Sequence, residues 1–270
     1  MGSLNNSEGG MLPTMEAIGP PDSNTAARAR AWRDGQLATV CDVLRPWEHG
    51  TVARATDRPG YWNFNVVTVA DDPGLGVAEL EAFADEALDG LDHRRLDFDS
   101  IDAAERLRPD FEGRGWIAER LVWMRHELPV PPGPASDVAE VPFDAVRDLR
   151  VRWHFEDYPD QDPELYLDDS REISLRRGAR VIASLEDGKP VAFAQLEWDA
   201  GSAEITHVYV DAEHRGGGRG TAMTRAAIAA AAGAGDLWIV ADDEDRPKEL
   251  YGRLGFRPAW ISMEFLRLPS

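Results

Sequence analysis

The same series of residues occurs twice in this chain, once on each side of a proline-rich segment. Residues 127–142 contain five prolines, so this segment cannot continue a helix or a central strand and is typical of a linker. Arg106-Leu107, Phe111 and Trp116-Ile117 recur as Arg253-Leu254, Phe256 and Trp260-Ile261, 144 to 147 residues later. Val67-Thr68-Val69 is echoed by Val208-Tyr209-Val210 at an offset of 141 residues. Several matches in one order at a nearly fixed offset indicate a duplicated domain.

The length and composition fit one large packed domain or two small ones, and they exclude several classes of protein. The 270 residues are 43% hydrophobic and include nine tryptophans, which excludes a disordered or fibrous chain. Asp and Glu outnumber Lys and Arg by 49 to 29, and a net charge of −20 disfavours nucleic-acid and membrane partners because it repels phosphates. Cys41 is the only cysteine, so an intramolecular disulfide is impossible.

The N-terminal residues and the apolar runs determine where we expect the protein to reside. Residues 1–23 are rich in Gly, Ser, Asn and Pro and contain no Lys or Arg, so we expect a disordered tail and no signal peptide. The apolar runs are much shorter than the roughly 18 residues that a membrane span needs. The sequence therefore predicts a cytoplasmic protein, and it is compatible with a homodimer.

Periodicity is clearest in the second copy. It predicts helices at 144–157, 163–177, 221–232 and 247–254, and strands at 180–185, 191–198, 203–210, 237–241 and 260–268. Antiparallel strands followed by strand–helix–strand units predict a mixed α/β sheet.

A glycine-rich loop lies between the third predicted strand and the following helix. Its sequence is Arg215-Gly216-Gly217-Gly218-Arg219-Gly220, followed by Thr221. Such a loop presents unpaired backbone N–H groups and the positive end of a helix dipole, which favours anion binding. A nucleotide P-loop is excluded because no Gly-Lys-Ser/Thr sequence follows. A nicotinamide-dinucleotide fingerprint fits only partly, since the third glycine would fall at Thr221.

Three motifs in one order resemble the GNAT superfamily of acyl-CoA N-acyltransferases. They are Val208-Tyr209-Val210, Arg215-x-x-Gly218-x-Gly220, and Tyr251-Gly252-Arg253-Leu254-Gly255-Phe256. The resemblance covers roughly residues 142–268, and residues 24–126 resemble the same fold less closely. It implies an α/β (α+β) protein of two tandem GNAT-like domains, each a mixed, mostly antiparallel sheet with helices on both faces.

The resemblance also implies roles for individual residues. Acetyl-CoA, the implied co-substrate, would bind Val208, Tyr209 and Val210 along its pantetheine arm, through main-chain groups of the two valines. Its pyrophosphate would lie on the loop, with the binding residues Arg215, Gly216, Gly217, Gly218, Arg219, Gly220 and Thr221. Tyr251 is the candidate general acid for the leaving thiolate, and Glu204 is the candidate general base. His207 and water are the alternative bases, and alternation would place His207 on the opposite strand face from Glu204 unless a bulge intervenes.

The first copy departs from this pattern, so we assign chemistry to the second copy alone. Its corresponding loop carries Asp71 and Asp72 and no arginine, and residues 103–108 contain no tyrosine. The second copy has one departure: Glu244 stands where the family often has an asparagine. We predict a disordered tail at 1–23, a degenerate GNAT-like domain at 24–128, a proline-rich linker at 129–142 and an acetyl-CoA-binding GNAT domain at 143–270.

The expected reaction is direct transfer of an acetyl group to a primary amine of a small, cationic acceptor, through a tetrahedral intermediate. Residues 156–169 contain seven acids and no basic residue, with aromatic residues interleaved, and this could attract a cationic amine. A polyamine, an amino sugar or an amino-acid amine is favoured over a phosphate-bearing acceptor. The opposing interpretations are a solvated acidic face for this segment, and a non-catalytic acyl-CoA-binding or structural module for the protein. No metal is expected.

Overall fold

A computed structural model describes residues 23–130, 137–199, 201–245 and 247–269. Its helices are α1 Ser23–Val40, α2 Val77–Ala87, α3 Ile101–Glu112, α4 Arg147–Asp157, α5 Pro163–Arg176, α6 Arg219–Ala230 and α7 Pro247–Arg253. Its strands are β1 Val43–Trp47, β2 Gly50–Arg54, β3 Asn65–Val69, β4 Arg94–Phe98, β5 Ile117–His126, β6 Val138–Val141, β7 Arg180–Glu186, β8 Lys189–Asp199, β9 Ser202–Val210, β10 Leu237–Asp242 and β11 Phe256–Arg267.

The two halves of the chain repeat one series of elements. In the first half it runs β1, β2, β3, α2, β4, α3 and β5, and in the second it runs β7, β8, β9, α6, β10, α7 and β11. All the strands form one sheet in the order β1-β2-β3-β4-β11-β5-β10-β9-β8-β7-β6. Counted inward from either edge of the sheet, the strands of the two halves follow one another in the same sequence. The one exception is β6, an additional edge strand outside β7. The fold is therefore two tandem copies of one mixed α/β unit, as the sequence predicted.

The halves exchange their last strands at the centre of the sheet. β5 of the first half pairs with β10 of the second, and β11 of the second half pairs with β4 of the first. β5 and β11 also pair with each other along most of their lengths. Because the sheet is continuous across this exchange, the boundaries at 24–128 and 143–270 stay predictions.

The helices lie on both faces of the sheet. α2, α3, α6 and α7 pack in two apolar clusters on one face. On the other face, α1 packs against Trp123, Trp238 and Trp260, while α4 and α5 pack beside it. This second face is the one that holds the candidate site.

Tryptophans of the first half take part in the contact between the halves. Trp123 stacks on Trp260 with ring centroids 5.5 Å apart, and Trp116 packs in a cluster that includes Phe265. Trp62 meets Tyr158 edge to face at 5.5 Å. Trp47 packs instead against residues of its own half.

The proline-rich linker differs from the prediction in one respect. Residues 138–141 form the edge strand β6, which pairs with β7, because an edge strand tolerates Pro142 at its end. Residues 131–136 of the predicted linker and 1–22 of the predicted tail lie outside the described residues.

Candidate active site

Strands β9 and β10 separate after a short stretch of parallel pairing. They pair from Ala203–Leu237 to Ile205–Ile239, and β9 then continues to Val210 without a partner on that side among the described strands. The register between β8 and β9 shifts at this point, leaving Thr206 as a β-bulge. A bulge bends its strand and increases its twist, so it accounts for the divergence of β9 from β10.

The main chain of Val208 and Val210 faces the gap between the separated strands. The amide of Asp211 donates to Val191 O on β8 at 3.0 Å, and successive amides of a strand point to opposite sides. The backbone N–H and C=O groups of Tyr209 therefore also point toward β8, whereas the corresponding groups of Val208 and Val210 point away from β8. Arg215 Nε reaches Val210 O from the open side at 3.0 Å. The gap thus offers an unpaired strand edge to an extended ligand.

The glycine loop lies at the end of β9 and opens helix α6. Gly216, Gly217 and Gly218 have φ angles of 88°, 57° and 80°, which residues with a Cβ adopt at a cost. A Cβ built on any of the three would meet no described atom within 4 Å, so the outer surface of the loop is open. No side chain caps α6, and the amide of Arg219 donates to Gly216 O at 3.4 Å within the loop. An uncapped helix start beside an open glycine loop favours anion binding.

The two arginines of this loop are bound to carboxylates. Arg215 Nη2 forms an ion pair with Glu156 of α4, whose other oxygen accepts a hydrogen bond of 2.9 Å from Tyr209. Arg219 donates to Ser184 Oγ at 3.0 Å and lies 3.6 Å from Glu186. Binding of an anion by Arg215 would require it to exchange Glu156 for the ligand.

The corresponding features are absent from the described residues of the first half. β3 and β4 pair through their last residues, Val69 and Phe98, and the β2–β3 register has no bulge. The amide of Gly76 at the start of α2 donates to Glu79 at 2.9 Å, and Asp72 accepts from the amide of Gly74 at 2.9 Å. Two carboxylates therefore occupy amides at the positions that correspond to the glycine loop of the second half.

A cavity of about 410 Å³ lies next to the gap, between the sheet and α1, α4 and α5. Its floor extends from Glu204, His207 and Tyr209 on β9, across β10, to the exchanged strands β5 and β11 and to β4. Its roof includes aromatic residues of both halves, namely Tyr61, Trp62, Phe64, Trp153, Tyr158 and Tyr166. Its size suits a small organic ligand.

Glu204 lies in the cavity wall, where β9 and β10 begin to separate. It is 8% exposed, and its Oε2 accepts a hydrogen bond of 2.8 Å from Trp32 Nε1 and lies 3.5 Å from Arg177 Nη2. Oε1 makes no hydrogen bond within the described ranges. One oxygen is therefore held by the protein, while the other can accept a proton.

The bulge places His207 on the same face as Glu204, which simple alternation does not predict. Gln195 pairs with His207 and Glu197 pairs with Glu204, and all four side chains share a face. Burial, together with the smaller effect of the charges of Arg150 and Arg177, lowers the pKa of His207 to about 3. His207 is therefore neutral near pH 7 and is a weak base.

Tyr251 lies on α7 in the apolar cluster that contains α6, outside the cavity wall. It is 9% exposed, and its ring centroid lies 6.2 Å from that of Phe256. Burial raises the pKa of its hydroxyl to about 12, so the hydroxyl remains protonated.

Glu244, which replaces the family's asparagine, binds Arg108 of α3 through both oxygens at 2.9 and 2.8 Å. Glu244 therefore forms a salt bridge between the two halves of the chain.

The acids of residues 156–169, for which the sequence left open a role in attracting a cationic acceptor or a solvated face, lie outside the cavity lining. None of the seven acids in residues 156–169 lines the cavity; Glu156 binds Arg215, and Asp162 caps α5. The cavity carboxylates are Asp97, Glu119, Glu204 and Glu264, and three of these belong to the strands at and beside the exchange. Alternation along β4, β5 and β11 would have placed these three on one face, but only if the exchange had been foreseen.

Two further searches concern membranes and metals. Within the described residues, no helix is long and apolar enough to span a membrane. The same part of the chain contains no group of three or more His, Cys, Asp or Glu side chains arranged to hold a metal ion.

Comparison with known proteins finds a family match for part of the second half of the chain. The sequence model of the Acetyltransferase (GNAT) family matches residues 143–256. A functionally unknown conserved protein from Staphylococcus epidermidis has a similar fold, with 16% identity, a TM-score of 0.64, and coverage of 85% of this chain and 95% of its own. A GCN5-related N-acetyltransferase from Kribbella flavida has 20% identity, a TM-score of 0.53 and coverage of 91% and 96%. No curated protein matches the sequence. Residues 143–256 thus match the GNAT acetyltransferase family, and the first half of the chain repeats the series of elements found there.

Proposed function

We propose that this protein is an N-acetyltransferase that transfers the acetyl group of acetyl-CoA to a primary amine of a small, cationic acceptor. The observation that carries the proposal is the position of the β9–β10 gap, which opens between the uncapped glycine loop of α6 and the cavity. A thioester in the gap and an amine in the cavity would meet beside Glu204. The family match to residues 143–256 supports acyl transfer in general.

The residues of the second half would bind the co-substrate. The strand edge at Val208 and Val210 would pair with the pantetheine arm, and one of their amides would stabilise the oxyanion of the tetrahedral intermediate. The amides of residues 216–221, with Arg215 released from Glu156, would bind the pyrophosphate. Bound acetyl-CoA supplies the activated acyl group.

The proton transfers would be divided between two residues. Glu204 Oε1 accepts a proton from the ammonium of the acceptor, directly or through a water molecule, because Trp32 and Arg177 hold only the other oxygen. Tyr251 donates a proton to the departing thiolate, since its hydroxyl is protonated at neutral pH. His207 contributes hydrogen bonding without changing its charge.

The test is an assay with acetyl-CoA and a panel of amines, in which thiol release and the mass of the acetylated product are both measured. We expect thiol release that depends on the amine and a product heavier by one acetyl group. Acetyl-CoA binding without turnover across the panel would contradict the proposal and favour a non-catalytic acyl-CoA-binding module. Absence of both binding and turnover would exclude both functions.

A further inference from the structure

We propose that Glu197 and Arg177 are positioning residues that set how tightly the candidate base, Glu204, holds a proton. The inference rests on the proposed function, since it concerns the group that would deprotonate the acceptor amine. Glu197 is 1% exposed and lies outside the cavity lining, so it would act without touching the substrate. Its effect would reach the cavity through Arg177 and the carboxylate of Glu204.

The two glutamates are direct neighbours across strands β8 and β9. Glu197 is the cross-strand partner of Glu204, so both side chains point to the face of the sheet that carries the cavity. Like charges in this relation destabilise a sheet unless a cation compensates them. Both carboxyl groups are buried, so solvent ions screen their repulsion only weakly. The proton affinity of one glutamate therefore depends on the charge of the other.

One arginine serves both carboxylates. Arg177, directly after α5, forms an ion pair with Oε2 of Glu197, and its Nη2 lies 3.5 Å from Oε2 of Glu204. Its Nε donates to Gln36 of α1. Among the described residues, Arg177 is the only cation within ion-pair distance of Glu204. Glu197 therefore shares a positive charge that Glu204 would otherwise have to itself.

Hydrogen bonds hold the carboxylate of Glu197 in place beside Arg177. Gln195 Nε2 donates to Glu197 Oε1 at 2.7 Å, and Ser174 forms a further side-chain hydrogen bond with Glu197. Gln195 is fixed in turn by Arg150 of α4, whose Nη2 donates to Gln195 Oε1 at 2.5 Å. Burial raises the pKa of Glu197, and the charge of Arg177 opposes this rise. The ionised form of Glu197 is thus stabilised mainly by Arg177.

The other charged and titratable groups near Glu204 are already engaged or uncharged. They are Arg33 on α1, Arg150 on α4, His207 on β9 and Tyr61 between β2 and β3. Arg33 binds Asp99 and Asp34. His207 is neutral near pH 7, and burial raises the pKa of Tyr61 to about 12. On β10, the cross-strand partner of Glu204 is Trp238, which does not titrate. Charge changes at Glu197 or Arg177 should therefore dominate.

This arrangement fixes the direction of the effect. Glu197→Gln would leave Arg177 to Glu204 alone and would remove a negative neighbour, and both changes favour the ionised form of Glu204. Adding Arg177→Gln would remove the stabilising cation again. Neither variant leaves a fully buried charge without a partner, because the first keeps the pair of Arg177 with Glu204 and the second removes both charges.

The first test follows the indole N–H of Trp32 by NMR as the pH changes, in protein whose tryptophans are labelled with nitrogen-15. This group donates to Glu204 Oε2 at 2.8 Å, so its resonance reports the protonation of Glu204 without turnover. Trp32→Phe identifies the resonance by its loss. We expect Glu197→Gln to lower the titration midpoint by about one pH unit, and the double variant to raise it again.

The second test compares the pH dependence of kcat/KM with an amine that the protein acetylates. The amine is the same in every assay, so a difference between variants reports the enzyme. In Glu197→Gln the acid limb should move to lower pH by the same amount as the NMR midpoint, while the plateau falls because a weaker base removes a proton less readily.

Glu140→Gln is the matched control for both tests. Glu140 on β6 also binds an arginine of a neighbouring strand, Arg180 on β7, and neither residue lines the cavity. This substitution therefore removes an ion-paired carboxylate from the same sheet without changing the surroundings of Glu204. We expect it to leave the NMR midpoint and the acid limb unchanged.

The outcomes separate this inference from the proposed function. An unchanged Trp32 midpoint in Glu197→Gln would overturn the inference, whether or not the protein is active. A midpoint that moves by NMR but not in kcat/KM would overturn the catalytic role of Glu197 and leave the acetyltransferase intact. Failure of every amine, with the NMR midpoint still moving, would count against the acetyltransferase and would confirm the link from Glu197 to Glu204.

Discussion

Trp32 of helix α1 donates a hydrogen bond from its indole nitrogen to Oε2 of Glu204 at 2.8 Å. The donor belongs to the first half of the chain and the acceptor to the second, 172 residues later. The candidate base is therefore held by a side chain of the first half of the chain. In the proposed mechanism this contact would give the first half a positioning role.

Replacing Trp32 by phenylalanine tests that role. Trp32→Phe keeps an aromatic ring in the apolar cluster but removes the N–H group, so we expect kcat to fall by about tenfold with little change in acetyl-CoA affinity. Trp198→Phe is the control, since its indole nitrogen is buried without a partner among the described residues. Equal kcat values in the two variants would show that the hydrogen bond to Glu204 does not matter.

Tyr251→Phe should lower kcat by roughly 100-fold and leave acetyl-CoA affinity nearly unchanged. The ring that packs near Phe256 is preserved, and only the hydroxyl, whose pKa burial raises to about 12, is lost. Steady-state kinetics and calorimetric binding measure the two quantities. An unchanged kcat would assign Tyr251 to packing alone.

Arg215 and Glu156 form an ion pair, so substitutions of these two residues should have opposite effects on the affinity for acetyl-CoA. Arg215→Ala removes a charged hydrogen bond to the pyrophosphate and should weaken binding by about 1.5–3 kcal/mol. Glu156→Gln removes the competitor and should tighten binding by up to about 1 kcal/mol, since both side chains are partly exposed. Calorimetry measures both variants. Weaker binding in Glu156→Gln would show that Glu156 organises the loop and does not compete for it.

Glu264 should make stability depend on pH. Burial raises its pKa from 4.5 to about 8, so the folded state binds the proton more tightly than the unfolded state does. The stability that this proton contributes is complete below pH 4.5 and is lost as the pH rises through about 8. Without acceptor, the unfolding free energy of the native protein minus that of Glu264→Gln should fall by a few kcal/mol between pH 5 and pH 9. Urea denaturation at several pH values measures this difference, and a constant difference would contradict the raised pKa.

Local sequence patterns predicted most elements of the second half to within a few residues, because amphipathic periodicity and glycine turns are local signals. The sequence around Thr206 contains no local sign of a bulge. Simple alternation therefore placed His207 on the face opposite to Glu204, whereas the structure has both side chains on one face. The exchange of β5 and β11 also escaped prediction, since a strand has the same alternation whichever half it joins. The contact from Trp32 to Glu204 joins residues that nothing in their spacing connects.

The stoichiometry of acetyl-CoA follows from the difference between the halves. In the first half β3 stays paired with β4 to its end, and Glu79 and Asp72 hold amides at and before the start of α2. In the second half the gap and the uncapped loop remain open. We therefore expect one acetyl-CoA per chain, and two sites of similar affinity in a calorimetric titration would refute the assignment.

The strand exchange predicts that the second half cannot fold as an independent unit. In a fragment that begins near residue 135, β10 and β11 lose β5, which lies between them and pairs with both. β10 would become an exposed edge, and β11 would also lose β4 and so have none of its partner strands. Trp238 and Trp260 would lose the cover of α1 and Trp123. We expect this fragment to aggregate or to be far less stable than the whole chain, as measured by solubility, size-exclusion chromatography and thermal unfolding.

Adding residues 23–130 as a separate chain should restore solubility, because they supply β5 and α1. A fragment that is monomeric, stable and fully active alone would show that β10 and β11 can pair directly, and that the first half has a different role.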